Sequence, residues 1–253
     1  MPAGVIRLEW REIGTERRVT SGDVIEEAFV TLYLNGRELV TIMSTPLQLE
    51  AFGLGFLQNE GLIEGLDDVD HVHVSSASCC VDIWTRHAVR VPEHRVITSG
   101  CGGGITFDDS QIDLEPVDFD LQVGPKRLYA IFNTLQSPDS LYALARGVHT
   151  TGLTDGKQIM ALAEDVGRHN TIDKVAGICI KEGIETRGRI LLTTGRVSSE
   201  MLKKAARMGC PVVASRNSPT SLSIEMAEAL NITLIGYVRR ASMRVYTHPE
   251  RVA

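Results

Sequence analysis

The chain has 253 residues, of which 43% are apolar and 23% charged, and it carries a net charge of −6 at pH 7. This composition is ordinary for a globular protein that buries a sizeable core, in one large domain or two smaller ones. The acidic balance argues against a general nucleic-acid binder but leaves room for a local basic pocket. No apolar run approaches a membrane span and the N-terminus lacks a secretion signal, so we expect a cytoplasmic protein without membrane or nucleic-acid partners.

The first third of the chain is typical of β-structure. Apolar residues alternate over 5–10, 26–34 and 38–43, and Asn35-Gly36 between the last two runs predicts a tight hairpin. Residues 47–60 then show a helical apolar face, after the capping sequence Ser44-Thr45-Pro46 and before Gly61. Residues 68–97 return to strand-like alternation.

A glycine-rich loop with one cysteine ends this region. Residues 97–105 read ITSGCGGGI, so four glycines surround Cys101. Glycine is a costly choice for a core but suits a backbone that carries a thiol outward, where exposed N–H groups can stabilise the nucleophilic thiolate. The alternative interpretation is a flexible linker with an incidental cysteine.

The other cysteines do not form a disulfide or zinc framework. There are five in all, with irregular spacing and no Cys-x-x-Cys pair: Cys79, Cys80, Cys101, Cys179 and Cys210. Cys79 and Cys80 are interpreted as one buried and one exposed strand position, and Cys179 and Cys210 as core residues. We predict no metal site.

The acidic, turn-rich residues 108–125 mark a change of pattern. We predict a β-rich N-terminal domain over 1–110 that ends in the Cys101 loop, a linker over 111–125 and an α/β domain over 126–253. Beyond the linker the pattern predicts two helices and then alternating strands and helices, at 126–136, 138–146, 158–163, 171–181, 189–193, 198–208, 211–214, 219–229, 232–237 and 244–246. Near-continuous apolar strands alternating with helices indicate a largely parallel sheet covered on both faces.

Three strand-to-helix loops of this second region are unusually polar. In such a sheet, loops at the carboxyl ends of strands form the ligand crevice, and helix N-termini with nearby arginines suit phosphate. The loops span 164–170, 194–200 and 215–221, and their candidate binding residues are Arg168, His169, Arg196 and Ser218. A serine of the second loop and Ser218 of the third loop are each expected to cap the helix that follows.

Residues 237–244 (YVRRASMR) add three arginines and an aromatic ring at the same edge. Such a segment suits a planar base as well as an anion.

Each of these features also has a structural interpretation. Glu164 and Asp165 with Arg168 can form an ion pair, His169 can be a hydrogen-bonded structural residue, and Ser218-Pro219 can be only a helix start. A charged run such as 237–244 is often a solvated turn.

Taken together, the motifs resemble those of the formate dehydrogenase accessory sulfurtransferase family, FdhD. The most specific matches are 163–170 (AEDVGRHN), 173–174 (DK), 194–201 (TGRVSSEM), 218–222 (SPTSL) and 245–251 (VYTHPER). Weaker ones are Thr45-Pro46, 55–57 (GFL), Glu60-Gly61 and 147–149 (GVH). They extend from the second predicted strand to the C-terminus.

The resemblance implies an α/β fold with a cytidine-deaminase-like mixed sheet and helices on both faces, beside a smaller β-rich N-terminal domain. It implies a homodimer that accepts sulfur from a cysteine desulfurase as a persulfide on Cys101. The sulfur then passes to the molybdenum cofactor, bis-molybdopterin guanine dinucleotide, for the formate dehydrogenase apoenzyme. The family's nucleotide-binding segment corresponds to Tyr237, Val238, Arg239, Arg240, Ala241 and Ser242.

The sequence departs from the family pattern at Gly104, where many members carry a second cysteine. This loop therefore offers no second cysteine as a resolving thiol. Relay through a single persulfide on Cys101 does not need one. The deaminase-like fold also suggests a zinc deaminase, but the chain has no Cys-x-x-Cys, which the zinc site of those enzymes requires. The alternative functions are a delivery chaperone that binds the cofactor without covalent chemistry, and a purely structural subunit.

Overall fold

The structure is a computed structural model that describes residues 3–75, 77, 79–91, 95–97, 105–107 and 114–253, with the backbone alone at 95–97 and 105–107. The first half of the described chain contains β1 (Val5–Ile13), β2 (Arg17–Ile25), β3 (Ala28–Leu34), β4 (Arg37–Ser44), α1 (Leu49–Asn59), β5 (Val69–Ser75), β6 (Cys80–Thr85), β7 (Arg95–Ile97) and β8 (Ile105–Phe107). These elements lie in the region that the sequence predicts to be rich in strands.

The second half alternates helices and strands. In chain order it contains α2 (Pro125–Asn133), α3 (Leu141–Ala145), β9 (His149–Thr154), β10 (Ile159–Asp165), α4 (Arg168–Glu182), β11 (Ile190–Thr193), α5 (Ser199–Arg207), β12 (Val212–Ser215), α6 (Ser221–Ala229), β13 (Thr233–Gly236) and β14 (Arg244–Val245). Every helix and strand predicted beyond residue 125 is present within a few residues. The chain is therefore a mixed α/β protein.

The hairpin predicted at Asn35-Gly36 is confirmed. Asn35 has φ 53° and Gly36 φ 74°, the positive values at both central positions that a type I′ turn requires. The turn joins β3 to β4 in an antiparallel pair in which Leu34 lies opposite Arg37. A four-stranded sheet in the order β4-β3-β6-β5 grows from this hairpin, with β3 and β6 parallel.

Helix α1 lies between this sheet and helix α4. Nine of its eleven residues are buried, as expected for a helix that is packed on more than one side. The two helices approach closely where each carries a glycine. A Cβ atom on Gly55 would lie 1.8 Å from the carbonyl oxygen of Asp173, and one on Gly177 would lie 1.7 Å from that of Ala51. Glycine is thus required at both positions of the crossing.

The second sheet has the order β10-β9-β11-β12-β13-β14. Strands β11, β12 and β13 are parallel, whereas β9 is antiparallel to both of its neighbours and β14 is antiparallel to β13. The prediction of a largely parallel sheet is therefore wrong. The mixed sheet that the family resemblance implies is confirmed. The reason is β9, which the apolar pattern does not reveal because its sequence HTTGLT is rich in threonine.

Helices cover both faces of this second sheet. Side chains from α4, α5 and α6, such as Val175, Leu202 and Ala227, share one core cluster with Leu191 and Val213 of the strands. On the opposite face α2 packs against alternate strand residues: Leu128, Phe132, Ile190, Leu192, Val212, Ala214 and Ile235 belong to that cluster.

The predicted linker packs against the second sheet where the structure describes it. Residues 114–124 contain no helix or strand, yet Val117 and Val123 are buried. Their backbone N–H groups donate to the carbonyl oxygens of Leu230 and Arg251. The division into two domains stays a prediction.

None of the helices in the described part of the chain has the length and apolar character that a membrane crossing requires.

Candidate functional site at the carboxyl edge of the second sheet

The loops that follow four strands meet at one edge of the second sheet. Strands β10, β11, β12 and β13 run in the same direction, and β9 begins where they end. In register, His149 at the start of β9 pairs with Asp165 at the end of β10, and Thr193 at the end of β11 pairs with Ser215 at the end of β12. The structure thus brings together the three polar loops and the segment after β13.

Asp165 forms a buried ion pair beneath the first loop. Its carboxylate is inaccessible to solvent, as is its partner, the Lys174 ammonium, and Oδ2 lies 2.5 Å from Nζ. The same oxygen accepts hydrogen bonds from the hydroxyl of Ser44 at 2.6 Å and the backbone N–H of Thr45 at 3.1 Å. Lys174 also donates to the Thr45 carbonyl at 2.8 Å. The pair therefore fastens the end of β4 to the start of α4.

The second carboxylate oxygen of Asp165 orders the loop itself. Oδ1 accepts from the backbone N–H of Gly167 at 2.7 Å and from the side-chain amide of Asn170 at 2.8 Å. Asn170 in turn donates to the carbonyl of Met43 at 2.8 Å. Because these bonds flank residues 168 and 169, they fix the backbone from which Arg168 and His169 project.

Glu164 supports the neighbouring helix α3. Its carboxylate accepts hydrogen bonds from the backbone N–H groups of Leu141 and Tyr142, at 2.6 and 3.3 Å, and from the Thr150 hydroxyl at 3.1 Å. It thereby satisfies the first turn of α3, a favourable place for a carboxylate. The role of Glu164 is therefore structural, with helix N–H groups and a threonine hydroxyl as its partners, whereas the ion pair with Arg168 stays a prediction.

The imidazole of His169 contacts the first turn of α5. Its Nε2 atom lies 3.2 Å from Ser198 Oγ and 3.3 Å from Glu200 Oε2. The serine cap that the sequence predicts for α5 is Ser198, whose side chain accepts from the N–H of Met201. The loops after β10 and β11 are therefore joined through His169.

The electrostatic surroundings keep His169 neutral. Burial is the main cause, and the nearby Lys204 and Arg168 cations and His149 add to it, lowering the pKa of His169 to about 3. A neutral imidazole can both donate and accept a hydrogen bond. The ring is therefore uncharged at physiological pH in a surrounding rich in cations.

This neutral state predicts that stability falls in mild acid. The unfolded chain protonates this imidazole below its ordinary pKa of 6.5, whereas the folded protein does so only near pH 3. Stability is therefore lost as the pH falls below 6.5, by about 1.4 kcal/mol per pH unit. On going from pH 7.5 to 5, His169→Gln is expected to lose about 2 kcal/mol less than the wild type. Urea unfolding at both pH values measures this, and equal losses for the two proteins would contradict it.

His149 is a site residue that the sequence motifs did not single out. It is half-buried at the start of β9. Burial lowers the pKa of its imidazole, and the charges of Arg168 and Arg196 lower it further, against the opposing effect of Asp165. The only signal in the sequence is the weak match at 147–149, which does not indicate that β9 starts at this edge.

The two arginines of the predicted site differ in exposure. Arg168 is buried, and its side chain lies against the next loop, where a Cβ atom on Gly195 would come within 2.8 Å of Arg168 Cβ. Arg196 is exposed. Arg168 is thus packed between the loops at this edge, and Arg196 faces solvent.

Ser218 does not cap a helix, contrary to the prediction. Helix α6 begins at Ser221, and its N-cap is Thr220, which forms a reciprocal capping box with Ser223. Ser218 instead accepts a hydrogen bond on its carbonyl from Val197 N–H at 3.2 Å. The reason is that residues 197 and 219 form a β-bridge, so the backbone is still extended at Ser218. This bridge ties the loops after β11 and β12 together.

The predicted nucleotide segment folds back over the end of β12. Tyr237 has φ 52°, and the N–H groups of Tyr237 and Val238 donate to the carbonyls of Asn217 and Ser215. The side chain of Val238 is 2% exposed and belongs to the core below the sheet. Only the backbone of Val238 is therefore near the edge, and its assignment to the nucleotide-binding segment stays a prediction.

The remaining residues of this segment form an exposed basic turn. Arg239 N–H donates to the carbonyl of Ser242 at 2.8 Å, and its guanidinium donates to the carbonyl of Arg216 at 2.6 Å. Arg240, Ala241 and Ser242 are exposed. A third arginine, Arg244, has its guanidinium carbon 4.3 Å from the centre of the Tyr237 ring. This face of the Tyr237 ring is therefore already occupied.

Cys101 lies outside the described residues. The strands on either side of it, β7 and β8, pair in an antiparallel manner with Ile97 opposite Ile105. Residues 98–104, which include Cys101 and Gly104, connect these two strands.

Two of the other cysteines are poor nucleophiles. Cys179 and Cys210 are buried in the core, as predicted. Burial raises the pKa of the Cys179 thiol to about 12, with a contribution from Glu182, and also raises the pKa of Cys210.

Cys79 and Cys80 are both half-buried, so the prediction of one buried and one exposed strand position is wrong. The reason is that Cys79 lies in the turn before β6 and not in the strand.

A second buried ion cluster lies behind His169. Lys204 Nζ is 2.7 Å from Asp173 Oδ1 and 3.2 Å from Glu60 Oε1, and the Asn59 amide donates to Asp173 at 2.8 Å. Burial alone would lower the pKa of Lys204, but the two carboxylates outweigh it and hold this pKa above its ordinary value. The ammonium is therefore a permanent positive charge next to the histidine.

Known proteins with similar sequences cover almost the whole chain. The sulfur carrier protein FdhD of Bacillus subtilis is 34% identical over 253 residues, which are 98% of this chain and 97% of that protein. The sulfur carrier protein FdhD of Listeria innocua is 34% identical over 249 residues, with 95% of each chain covered.

The fold matches that of a solved structure. A crystal structure from Desulfotalea psychrophila, described as that of a formate dehydrogenase accessory protein, superposes with a TM-score of 0.84 at 28% identity, covering 99% of this chain and 100% of that one. The family model named FdhD/NarQ matches residues 25–253. The chain therefore belongs to the FdhD/NarQ family.

Proposed function

We propose that this protein is a sulfurtransferase that carries sulfur as a persulfide on Cys101, from a cysteine desulfurase to the molybdenum cofactor of a formate dehydrogenase. The cargo is bis-molybdopterin guanine dinucleotide, and the protein acts as a cytoplasmic homodimer. Its relatives are named sulfur carrier proteins. The observation that carries the proposal is the cation-rich edge of the second sheet, where an anionic cofactor can be held.

Persulfide transfer requires a thiol that is accessible to the donor protein. Persulfide exchange proceeds by attack of a thiolate on a sulfur–sulfur bond. The Cys101 thiolate would attack the outer sulfur of the desulfurase persulfide, whose S–S bond breaks as the new one forms on Cys101. The desulfurase cysteine leaves as a thiolate, so that atoms and electrons balance. Cys179 and Cys210 are excluded from this role by burial and raised pKa values.

The edge of the sheet suits an anionic cofactor. We assign phosphate or pterin contacts to Arg168, His169 and Arg196, and further contacts to Ser218 and to the segment from Tyr237 to Ser242. Guanidinium groups recognise phosphate through paired N–H donors. Arg196 and Arg240 are exposed and offer such donors at the surface of the edge. Arg168 is buried in the loops and contributes positive charge to the same edge.

Intact mass spectrometry tests the covalent step. Incubation with a cysteine desulfurase and cysteine is expected to add the mass of one sulfur atom to the wild-type protein, in a form that a reductant removes. Cys101→Ala should abolish this gain. Cys179→Ala is the matched control, because it removes a buried thiol and should leave the gain intact. A gain that survives in Cys101→Ala would transfer the chemistry to Cys79 or Cys80.

The alternative function is a delivery chaperone that holds the cofactor without covalent chemistry. Cys101→Ser separates the two functions, because it removes the nucleophile while leaving the basic edge unchanged. Loss of formate dehydrogenase activity with cofactor binding retained would support sulfur transfer. Retained activity would support delivery alone.

A further inference from the structure

The proton on the His169 ring can be placed from its contacts. Ring atom Nε2 faces the Glu200 carboxylate at 3.3 Å and the Ser198 hydroxyl at 3.2 Å. The side chains of His169 and Glu200 are only 13% and 19% exposed, so solvent does little to relieve an unfavourable arrangement. An ionised carboxylate only accepts hydrogen bonds. A bare Nε2 lone pair in this position would repel it.

We propose that Glu200 is a positioning residue, which holds the neutral imidazole of His169 in the tautomer with its proton on Nε2 and leaves Nδ1 as a hydrogen-bond acceptor. Among the described residues, no group forms a hydrogen bond with Nδ1. The Ser198 hydroxyl, which already accepts from Met201 N–H, can accept from Nε2–H as well.

The cations around the ring explain why one carboxylate decides the tautomer. Burial disfavours a second proton on His169, and the charges of Lys204 and Arg168, with a smaller contribution from His149, disfavour it further. The imidazole therefore keeps one proton, which must be on either Nδ1 or Nε2. Glu200 is in contact with Nε2 and stabilises the proton there.

An acceptor at Nδ1 changes what the edge can recognise. Arginine side chains only donate hydrogen bonds, so Arg168 and Arg196 alone would not distinguish between phosphate-bearing molecules. A bare ring nitrogen adds a preference for a ligand that combines negative charge with an N–H donor, such as the amino group of a heterocycle. This conclusion about the cargo rests on the proposed function, whereas the tautomer does not.

Nuclear magnetic resonance of the ligand-free protein, labelled with ¹⁵N in histidine, tests the tautomer directly. His169→Gln identifies the signals of the ring. In the wild type at pH 7, Nε2 is expected at the position of a protonated nitrogen and Nδ1 at that of an unprotonated one. The reverse assignment in the wild type would overturn the proposal.

Three variants show whether Glu200 is the cause. Glu200→Ala should shift the population towards Nδ1–H, because Ser198 can then donate to Nε2. Glu200→Gln keeps an acceptor oxygen and should retain Nε2–H, as should Ser198→Ala. An unchanged tautomer in Glu200→Ala would show that another group sets it.

Cofactor binding is measured separately on the same proteins. Affinity for bis-molybdopterin guanine dinucleotide should fall about tenfold in Glu200→Ala, as for the loss of one hydrogen bond, and should be retained in Glu200→Gln. An unchanged affinity in Glu200→Ala would overturn the conclusion about the cargo. Sulfur loading of Cys101 does not enter either measurement, so the proposal and the proposed function can fail independently.

Discussion

Replacing Gly177 by alanine is expected to destabilise the protein by about 3 kcal/mol or more. In most helices the same change is stabilising, by about 0.5–1 kcal/mol, because glycine loses more backbone entropy on folding. Here the new methyl group would lie 1.7 Å from the backbone carbonyl oxygen of Ala51 in the facing helix. Backbone atoms cannot rotate away as a side chain can, so α1 and α4 would have to separate. Gly55→Ala should have the same effect from the opposite side.

Gly65→Ala is the matched control for both variants. Gly65 has an extended backbone with φ −175°, and a methyl group on it would meet no atom within 4 Å. The urea midpoint of this variant should therefore stay close to that of the wild type, while those of Gly55→Ala and Gly177→Ala fall sharply. If either helix variant unfolded at the wild-type midpoint, the close crossing of α1 and α4 would be disproved.

Lys174→Met is expected to cost about 3–5 kcal/mol of stability, since it leaves a buried carboxylate without its cation. Both charges of the Asp165–Lys174 pair are completely buried. Methionine fills a similar volume but supplies neither the charge nor the hydrogen bond to the Thr45 carbonyl. The loop that carries His169 is ordered by the same aspartate, so we expect it to loosen as well. Urea unfolding gives the loss of stability, and amide exchange of residues 165–170 reports the loop.

An ion pair on the surface of the same helix provides the control. Lys181 lies 2.6 Å from Glu50, with the two side chains 38% and 42% exposed. Exposed pairs of this kind contribute about 0–1 kcal/mol, so Lys181→Met should change stability by no more than that. Adding Asp165→Asn to Lys174→Met should recover part of the loss, because the uncompensated charge is then removed. Similar losses for Lys174→Met and Lys181→Met would argue against the buried pair as a major source of stability.

The sequence predicts those elements whose signals are local. The Asn35-Gly36 turn and the apolar strands β11, β12 and β13 are read correctly because turn geometry and burial on both faces depend on neighbouring residues only. Strands β2 and β9 lack that signal. β2 is largely exposed and polar. β9 is buried but built from threonines, and the Thr151 hydroxyl finds its partners on Thr171 and Thr193, far away in the chain.

The candidate site was predictable in its location but not in its contacts. Polar residues after apolar strands indicate the edge of a sheet, which is why Arg168, His169 and Arg196 could be named. No spacing rule indicates that Asp165 would pair with Lys174 or that Glu200 would contact His169, since these pairs depend on how two elements are oriented. The burial of Val238 is equally invisible in the sequence, because the composition of a basic run does not indicate that one of its apolar side chains turns back into the core.

The contact between the two halves of the chain has a consequence for biosynthesis. Thr45 and Asp165 are separated by 120 residues, and the Gly55 surface of α1 is covered by α4. At ribosomal rates of roughly 5–20 residues per second, about 6 to 24 s pass between the synthesis of the two partners. During that time the nascent chain carries a helix whose glycine surface and adjoining polar turn lack their native neighbours. The N-terminal half therefore cannot complete its core on the ribosome until α4 has emerged, and this interval is when the newly made protein most needs protection from aggregation.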